Sequence, residues 1–307
     1  MIATITLNPS LDYAAEVDKI TVGGVNRTSS EKVSVGGKGI NVSVMLGRFG
    51  VPNTAFGFLG GFTGDEILRC LRAENVSSDF VRVGGLSRIN FKLHGKEETE
   101  FNGSGPVIGE KDVTDLIGKL RNLPEGSVLV LAGSAPRSQC GNLYRRILSG
   151  VSDRGFYIAA DTTGENLRAA LEYAPFLVKP NREEIEELFG KKAQTREEVF
   201  QLAEALRREG ARNVIVSLGA KGALMATEKG ERLFCSAVGG VSVDTIGSGD
   251  CLVAGFLAAR YAGKSDADAL MTGVAAGCAN AFRYGLPARE EVGKVCRELA
   301  ESGGILS

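Results

Sequence analysis

Six short apolar runs punctuate the chain at 2–7 (IATITL), 55–60 (AFGFLG), 127–133 (SVLVLAG), 156–161 (FYIAAD), 176–180 (FLVKP) and 213–219 (NVIVSLG). Each is compact, apolar and bounded by glycine, proline or polar residues, the pattern of parallel strands covered on both faces. Between them, KGINVSVMLGRFG (38–50), DEILRCLRAEN (65–75), EEIEELFG (183–190) and REEVFQLAEALRREG (196–210) repeat apolar positions at helical spacing. This alternation predicts an α/β, doubly wound, mostly parallel sheet flanked by helices. Residues 12–35 and 87–103 break the rhythm, alternating polar with apolar and showing no helical period. INFKLHGKEETEFNG reads as a hairpin with one wet face, and the two segments together predict a small inserted β-sheet acting as a lid. After residue 220 the pattern predicts a hairpin, GALMATEKGERLFCSA, and then three helices.

Composition narrows the chemistry. With 307 residues, 43% of them apolar, the chain can bury a large core. Lysine and arginine total 36 against 37 acids, so no global field recruits nucleic acid or an acidic membrane, and any phosphate recognition must be local. Six separated cysteines form no CxxC pair and read as small apolar fillers. A single histidine, His94, excludes most histidine-based metal or triad chemistry. Neither a leader pattern nor an apolar run of about 20 residues is evident, so a reduced, cytoplasmic protein is expected.

The familiar nucleotide loops are incomplete. GKS at 263–265 has Ala258 where a P-loop needs its first glycine, and it follows a helical pattern. GSGDCL at 247–252 and GKGINV at 37–42 each lack the third glycine of a dinucleotide fingerprint, which argues against a nicotinamide oxidoreductase. Other clusters carry more. SVGGKGINVS (34–43) sets glycines and Lys38 at a helix start, where backbone can approach a ligand, although an ordinary glycine-rich turn would look alike. VKPNREEIEELFG (178–190) puts Asn181 and Glu184 on one side of a helix start; an N-cap with an acidic first turn explains that equally well. VSLGAKGALM (216–225) is most simply a hairpin. In DTIGSGD (244–250), Asp250 could cap a helix beginning at Cys251, but a cap needs neither Gly247 nor Gly249. Two glycines and an acid at a helix mouth suit amides that stabilise a transferring phosphoryl group beside a general base.

In that order and on that background, GGKGIN, KPNREE and DTIGSGD resemble the PfkB (ribokinase-like) family of sugar kinases over essentially the whole chain. ITLNPSLDY, VNRTSSEKVSVGGKGINVS and SRINFKLHGKEETEFNG are similar to the branch that phosphorylates ketose phosphates. The resemblance implies one ribokinase-like kinase domain over 1–307, with its lid at about 12–35 and 87–103, using ATP and Mg²⁺. It implies Asp250 as catalytic base and the amides of Gly247, Ser248, Gly249 and Asp250 as an anion hole; the family commonly has alanine where Ser248 stands. It implies Lys179 on the nucleotide phosphates, Asn181 and Glu184 organising Mg²⁺ through water, Ser217, Gly219 and Gly222 in the nucleotide-binding turn, and Val274 and Cys278 lining the adenine pocket. On the acceptor side it implies Asp12, Gly37, Lys38 and Asn41 holding sugar hydroxyls, with Ser134 beside them. Arg27 and Arg88 would hold the substrate's phosphate, since guanidinium forks match that dianion. The acceptor so implied is fructose 1-phosphate, giving fructose 1,6-bisphosphate, with tagatose 6-phosphate as the alternative and a non-catalytic sugar-phosphate sensor behind both. The lid of related enzymes also pairs subunits, so a homodimer is implied.

Overall fold

The computed structural model describes residues 1–95 and 99–306. The first part of the chain runs β1 (Ile2–Thr6), β2 (Ser10–Glu16), β3 (Ser30–Gly36), α1 (Lys38–Arg48), β4 (Asn53–Leu59), α2 (Gly61–Ala73), β5 (Ser77–Ser78), β6 (Val81–Arg82), β7 (Arg88–His94) and β8 (Thr99–Asn102). Next come α3 (Glu110–Arg121), β9 (Val128–Ala132), α4 (Leu143–Val151), β10 (Tyr157–Asp161), α5 (Gly164–Leu171), β11 (Leu177–Val178), α6 (Arg182–Phe189), α7 (Arg196–Arg208) and β12 (Asn213–Ser217). The last part holds β13 (Ala223–Ala226), β14 (Arg232–Cys235), α8 (Ser248–Tyr261), α9 (Asp266–Ala281), α10 (Arg289–Glu301) and β15 (Ile305–Leu306).

The large sheet has the order β15-β14-β13-β12-β11-β10-β9-β1-β4-β5, with β6 also on β4. From β12 to β5 every pairing is parallel, and β13, β14 and β15 add an antiparallel edge. The six apolar runs supply β1, β4, β9, β10, β11 and β12 among its parallel strands. Their alternate residues face opposite cores, which is why they read as unbroken apolar stretches. Leu129, Leu131, Val214 and Val216 join the core under α3 to α7, while Val130 and Ile215 join the core under α1 and α8 to α10. A third cluster packs Ile40 and Val44 of α1 against Ile67 and Leu71 of α2. The predicted α/β class, the 222–237 hairpin and the three closing helices all match these elements. The GKS tripeptide is a helix end: Ser265 caps α9, its Oγ accepting from the Asp268 N–H at 3.1 Å.

The two alternating segments form a separate sheet in the order β3-β2-β7-β8. β2 pairs antiparallel with β3 and parallel with β7, which puts Asp12 level with Ser34 and Asn90. β7 and β8 form the expected hairpin, with Phe91 opposite Phe101; Lys96, Glu97 and Glu98, between them in sequence, lie outside the described residues. Val33, Phe91 and Phe101 are exposed, as are Val22 and Val25 on the connection from β2 to β3.

Candidate active site

The carboxyl ends of the parallel strands gather the chemistry, as open α/β sheets generally do. Asp161 ends β10, Lys179 follows β11, Ser217 ends β12 and Gly133 follows β9. α1 and α8 bring their N-termini to the same edge. Asn41, in the first turn of α1, donates from Nδ2 to Asp250 Oδ2 at 2.7 Å.

α8 begins at Ser248, three residues before the expected start, because Gly247 adopts a left-handed φ of 85° and turns the chain into the helix. Asp250 therefore lies inside the first turn and makes no side-chain cap, so the capping explanation of the acid fails. Its side chain is buried. Burial, reinforced by the Asp161 carboxylate, pushes Asp250 up to about 7 against the opposing pull of Asn41, Lys38 and Lys179. The loop differs from the expected anion hole at one amide. Ser248 N–H donates to Thr245 O at 3.1 Å and closes a turn, so among the described residues the amides of Gly247, Gly249 and Asp250 are those without a partner. A methyl on Gly249 would lie 3.2 Å from Lys179 Nζ, so the lysine ammonium comes close to the backbone at Gly249.

Lys179 and Lys38 meet at one carboxylate. Lys38 Nζ lies 3.1 Å and Lys179 Nζ 3.4 Å from Asp161 Oδ1. Burial alone would raise Asp161, but Lys179 and Lys38 outweigh it and hold the carboxyl below its ordinary value. Lys38 is raised: burial opposes its charge, and Asp161, Asp250 and Glu184 overcome that cost. Asp161 Oδ2 is buried without a hydrogen-bond partner, so this carboxylate keeps a free acceptor. Sequence reading missed Asp161. The available signal was an acid closing a buried strand, FYIAAD, at the end where ligands bind.

Asn181 and Glu184 form a reciprocal cap at the start of α6: Glu184 N–H donates to Asn181 Oδ1 at 2.8 Å, and Asn181 N–H to Glu184 Oε2 at 2.7 Å. The N-cap reading of that motif is thus realised in the fold. Glu184 also contributes, last among the nearby acids, to raising Lys38, and the Asn181 backbone forms an isolated parallel bridge with Ser217. Ser217, Gly219 and Gly222 belong to the link between β12 and β13, where Leu218 N–H donates to Gly222 O at 2.8 Å. Val274 and Cys278 lie on the buried side of α9, and burial raises the Cys278 thiol.

On the small sheet, Asp12 Oδ1 accepts from Ser10 Oγ at 2.7 Å and Asn90 Nδ2 at 2.9 Å, and Lys92 lies 3.0 Å from Oδ2. Asn90 and Lys92 are further partners that the sequence did not single out. Arg88 is half-buried at the base of β7 and donates from Nε to Asn8 O at 2.9 Å; burial lowers it, with Asp12 opposing. Arg27 lies on the exposed connection between β2 and β3, and no contact among the described residues ties it to Arg88. Gly37 precedes α1 with φ 133° against Thr6, and Ser134 is exposed just past β9.

A ribokinase-like α/β sheet with a buried acid and free amides at the mouth of α8, beside two lysines that meet on Asp161, fits a phosphotransferase of the sugar-kinase class. Residues 5–290 match the model of the pfkB family of carbohydrate kinases, and the chain belongs to that family, whose members use ATP as phosphoryl donor. It is 41% identical to the 1-phosphofructokinase of Bacillus subtilis, over 97% of this chain and 98% of that one. It is 37% identical to the D-tagatose-1-phosphate kinase of Bacillus licheniformis, over 93% and 94%. Phosphofructokinase-2 of Escherichia coli, solved in complex with fructose-6-phosphate, superposes with a TM-score of 0.90 at 29% identity, covering 97% of this chain and 99% of that one; a structure of the same enzyme is described as a tetrameric inhibited form. The chain is thus an ATP-dependent carbohydrate kinase, and these relatives, by name, act on sugar phosphates. No helix among the described residues is long and apolar enough to cross a membrane.

Proposed function

We propose that the chain transfers the γ-phosphoryl group of ATP to the free 6-hydroxyl of fructose 1-phosphate, producing fructose 1,6-bisphosphate. The observation carrying this reading is the buried Asp250 carboxylate on the first turn of α8, flanked by the unpartnered amides of Gly247, Gly249 and Asp250 and faced by Lys179. Asp250, oriented by Asn41, takes the proton from the acceptor hydroxyl. The amides and Lys179 stabilise negative charge on the transferred group. Lys38 spans from Asp161 toward the same centre. Asp12, Gly37 and Asn41 hold sugar hydroxyls with Ser134 nearby, while Arg88 and Arg27 take the substrate's phosphate. Ser217, Gly219, Gly222, Val274 and Cys278 receive the nucleotide.

A fit for the triphosphate is supported by the bare backbone at Gly249, which lets the Lys179 ammonium approach so closely that a Cβ there would meet it at 3.2 Å. Among the described residues no group of three or more histidine, cysteine, aspartate or glutamate side chains could hold a metal ion. That suits Mg²⁺, which keeps waters and phosphate oxygens and needs few protein ligands. Asn181 and Glu184 would hold it through water, and the ion would neutralise phosphate charge.

Residues 1–307 then work as one domain, with the small sheet closing as a lid that keeps water from Asp250. The chain pairs with a second copy through the exposed face of that sheet. D-tagatose 1-phosphate is the second reading, favoured by the relative named for it; it shares the free 6-hydroxyl and differs from fructose 1-phosphate only in the configuration at C4. ADP release measured with fructose 1-phosphate, tagatose 1-phosphate, tagatose 6-phosphate, fructose 6-phosphate and ribose tests the assignment. The highest kcat/KM is expected with fructose 1-phosphate, and turnover of ribose equal to that of the ketose phosphates would overturn it.

A further inference from the structure

One buried polar side chain beside this centre has no part in the chemistry described so far. Asn280 lies in the last turn of α9 and is 1% exposed. Its Nδ2 donates to Ile246 O at 2.9 Å and to Ser248 Oγ at 3.1 Å, and its Oδ1 accepts from Cys251 Sγ at 3.4 Å. These partners bracket Gly247, the residue whose left-handed backbone opens α8. Both amide hydrogens of one side chain are therefore spent on a single turn of a neighbouring segment.

The platform carrying Asn280 has little freedom to retreat. α8 and α9 touch backbone to backbone: a methyl on Gly255 would lie 2.7 Å from Thr272 O, and one on Gly273 would lie 2.7 Å from Leu252 O. Ser248 uses its N–H on Thr245 O, so its amide is withdrawn from the anion site, while its hydroxyl receives the Asn280 amide. The serine side chain thus has a partner that alanine at this position could not engage.

We propose that Asn280 is a positioning residue for phosphoryl transfer: through Ile246 O and Ser248 Oγ it locks the Gly247 turn in the conformation that presents the amides of Gly247, Gly249 and Asp250 to the transferred group. The proposal rests on reading those amides as the anion hole. A merely structural asparagine, satisfying buried polar groups between two helices, would affect stability and leave turnover alone. A positioning asparagine changes kcat with little change in KM for the sugar, because the amides act on the transferred phosphoryl group and make no contact with the sugar.

Five proteins decide it: wild type, Asn280→Ala, Asn280→Asp, Ser248→Ala and the Asn280→Ala/Ser248→Ala double variant, each measured for kcat, both KM values and Tm with ATP and the best ketohexose monophosphate. Removing one oxyanion donor costs ~100-fold or more in kcat elsewhere, and loosening three donors is expected to cost about 10- to 100-fold in Asn280→Ala, with the sugar KM within about twofold. Asn280→Asp keeps the size but cannot donate, so it should fail as badly as alanine. Ser248→Ala should lose less, about threefold or more, and the double variant should be no slower than Asn280→Ala, since both changes remove one shared bond. If Asn280→Ala does not fold, a lowered kcat in Ser248→Ala at unchanged Tm carries the proposal. Folded Asn280→Ala, or Ser248→Ala in its place, turning over within about twofold of wild type overturns it. Asp250→Asn run alongside separates the two readings: an inactive Asp250→Asn beside a fully active Asn280→Ala sinks only this inference, and an active Asp250→Asn sinks the site itself.

Discussion

In the proposed reaction Asp250 is the base, and its burial brings a cost in stability. Its carboxyl is held at about 7 because burial and the Asp161 charge disfavour ionisation. A base must be ionised to act, so kcat/KM for the sugar should fall tenfold per pH unit below about 7 in the free enzyme; a profile flat down to pH 5 would contradict the assignment. Asp250→Asn should abolish ADP release and leave sugar-phosphate binding, read by calorimetry, within a few-fold. The sign for stability is opposite to that of a salt-bridged acid. The native state holds this proton between 3.8 and about 7 while the unfolded chain has released it, so the stability it contributes is present at low pH and lost as pH rises through that window. Asp250→Asn removes that loss and should raise Tm at pH 8 by at least ~2 °C, with a smaller gain at pH 5. That an acid follows two glycines at a helix mouth was legible in DTIGSGD. Its partners Asn41 and Asp161 lie 209 and 89 positions away in the chain (250 − 41 and 250 − 161), and no local pattern joins them.

Among the elements, α6 and α8 show the two ways of treating a helix start. α6 satisfies its first amides with a reciprocal Asn181–Glu184 cap; α8 has no side-chain cap and leaves the amides of Gly249 and Asp250 unpaired. Asn181→Ala should cost about 1 kcal/mol in denaturant unfolding and also raise KM for MgATP, whereas a purely structural cap would move only the first. Gly249→Ala places a methyl 3.2 Å from Lys179 Nζ. The lysine tip can swing away, so the fold should survive with Tm nearly unchanged while KM for ATP rises and kcat falls at least ~10-fold. Unaltered kinetics in that variant would show that Lys179 does not work above the amides. The strands and helices themselves were readable because period and punctuation are local properties. The start of α8 was not, since it depends on Gly247 turning left-handed in a loop fixed by α9.

For the molecule as a whole, the large sheet divides two cores and leaves one edge for chemistry, while the small sheet stands with Val33, Phe91 and Phe101 uncovered. A face of this kind is where the proposed self-association would bury apolar area. Phe101→Lys should convert the species seen by sedimentation to monomers and raise the sugar KM. A wild-type chain that sediments as a monomer at micromolar concentration would remove that proposal, and the tetrameric form of the Escherichia coli relative marks the other possible outcome.

The sequence by itself determined the class of fold, the small sheet's segments and the order of the three glycine- and acid-bearing motifs, because each is written in contiguous residues. Only the tertiary structure decided that Lys38 and Lys179 share Asp161, that Asn41 holds Asp250, that Ser248 gives its amide to a turn, and that Asn280 grips that turn from α9. The physical reason is common to all four. A buried charge or amide is stabilised by whichever partner the packed chain brings within about 3 Å, and parallel strands with helical crossovers bring together residues that are remote in sequence.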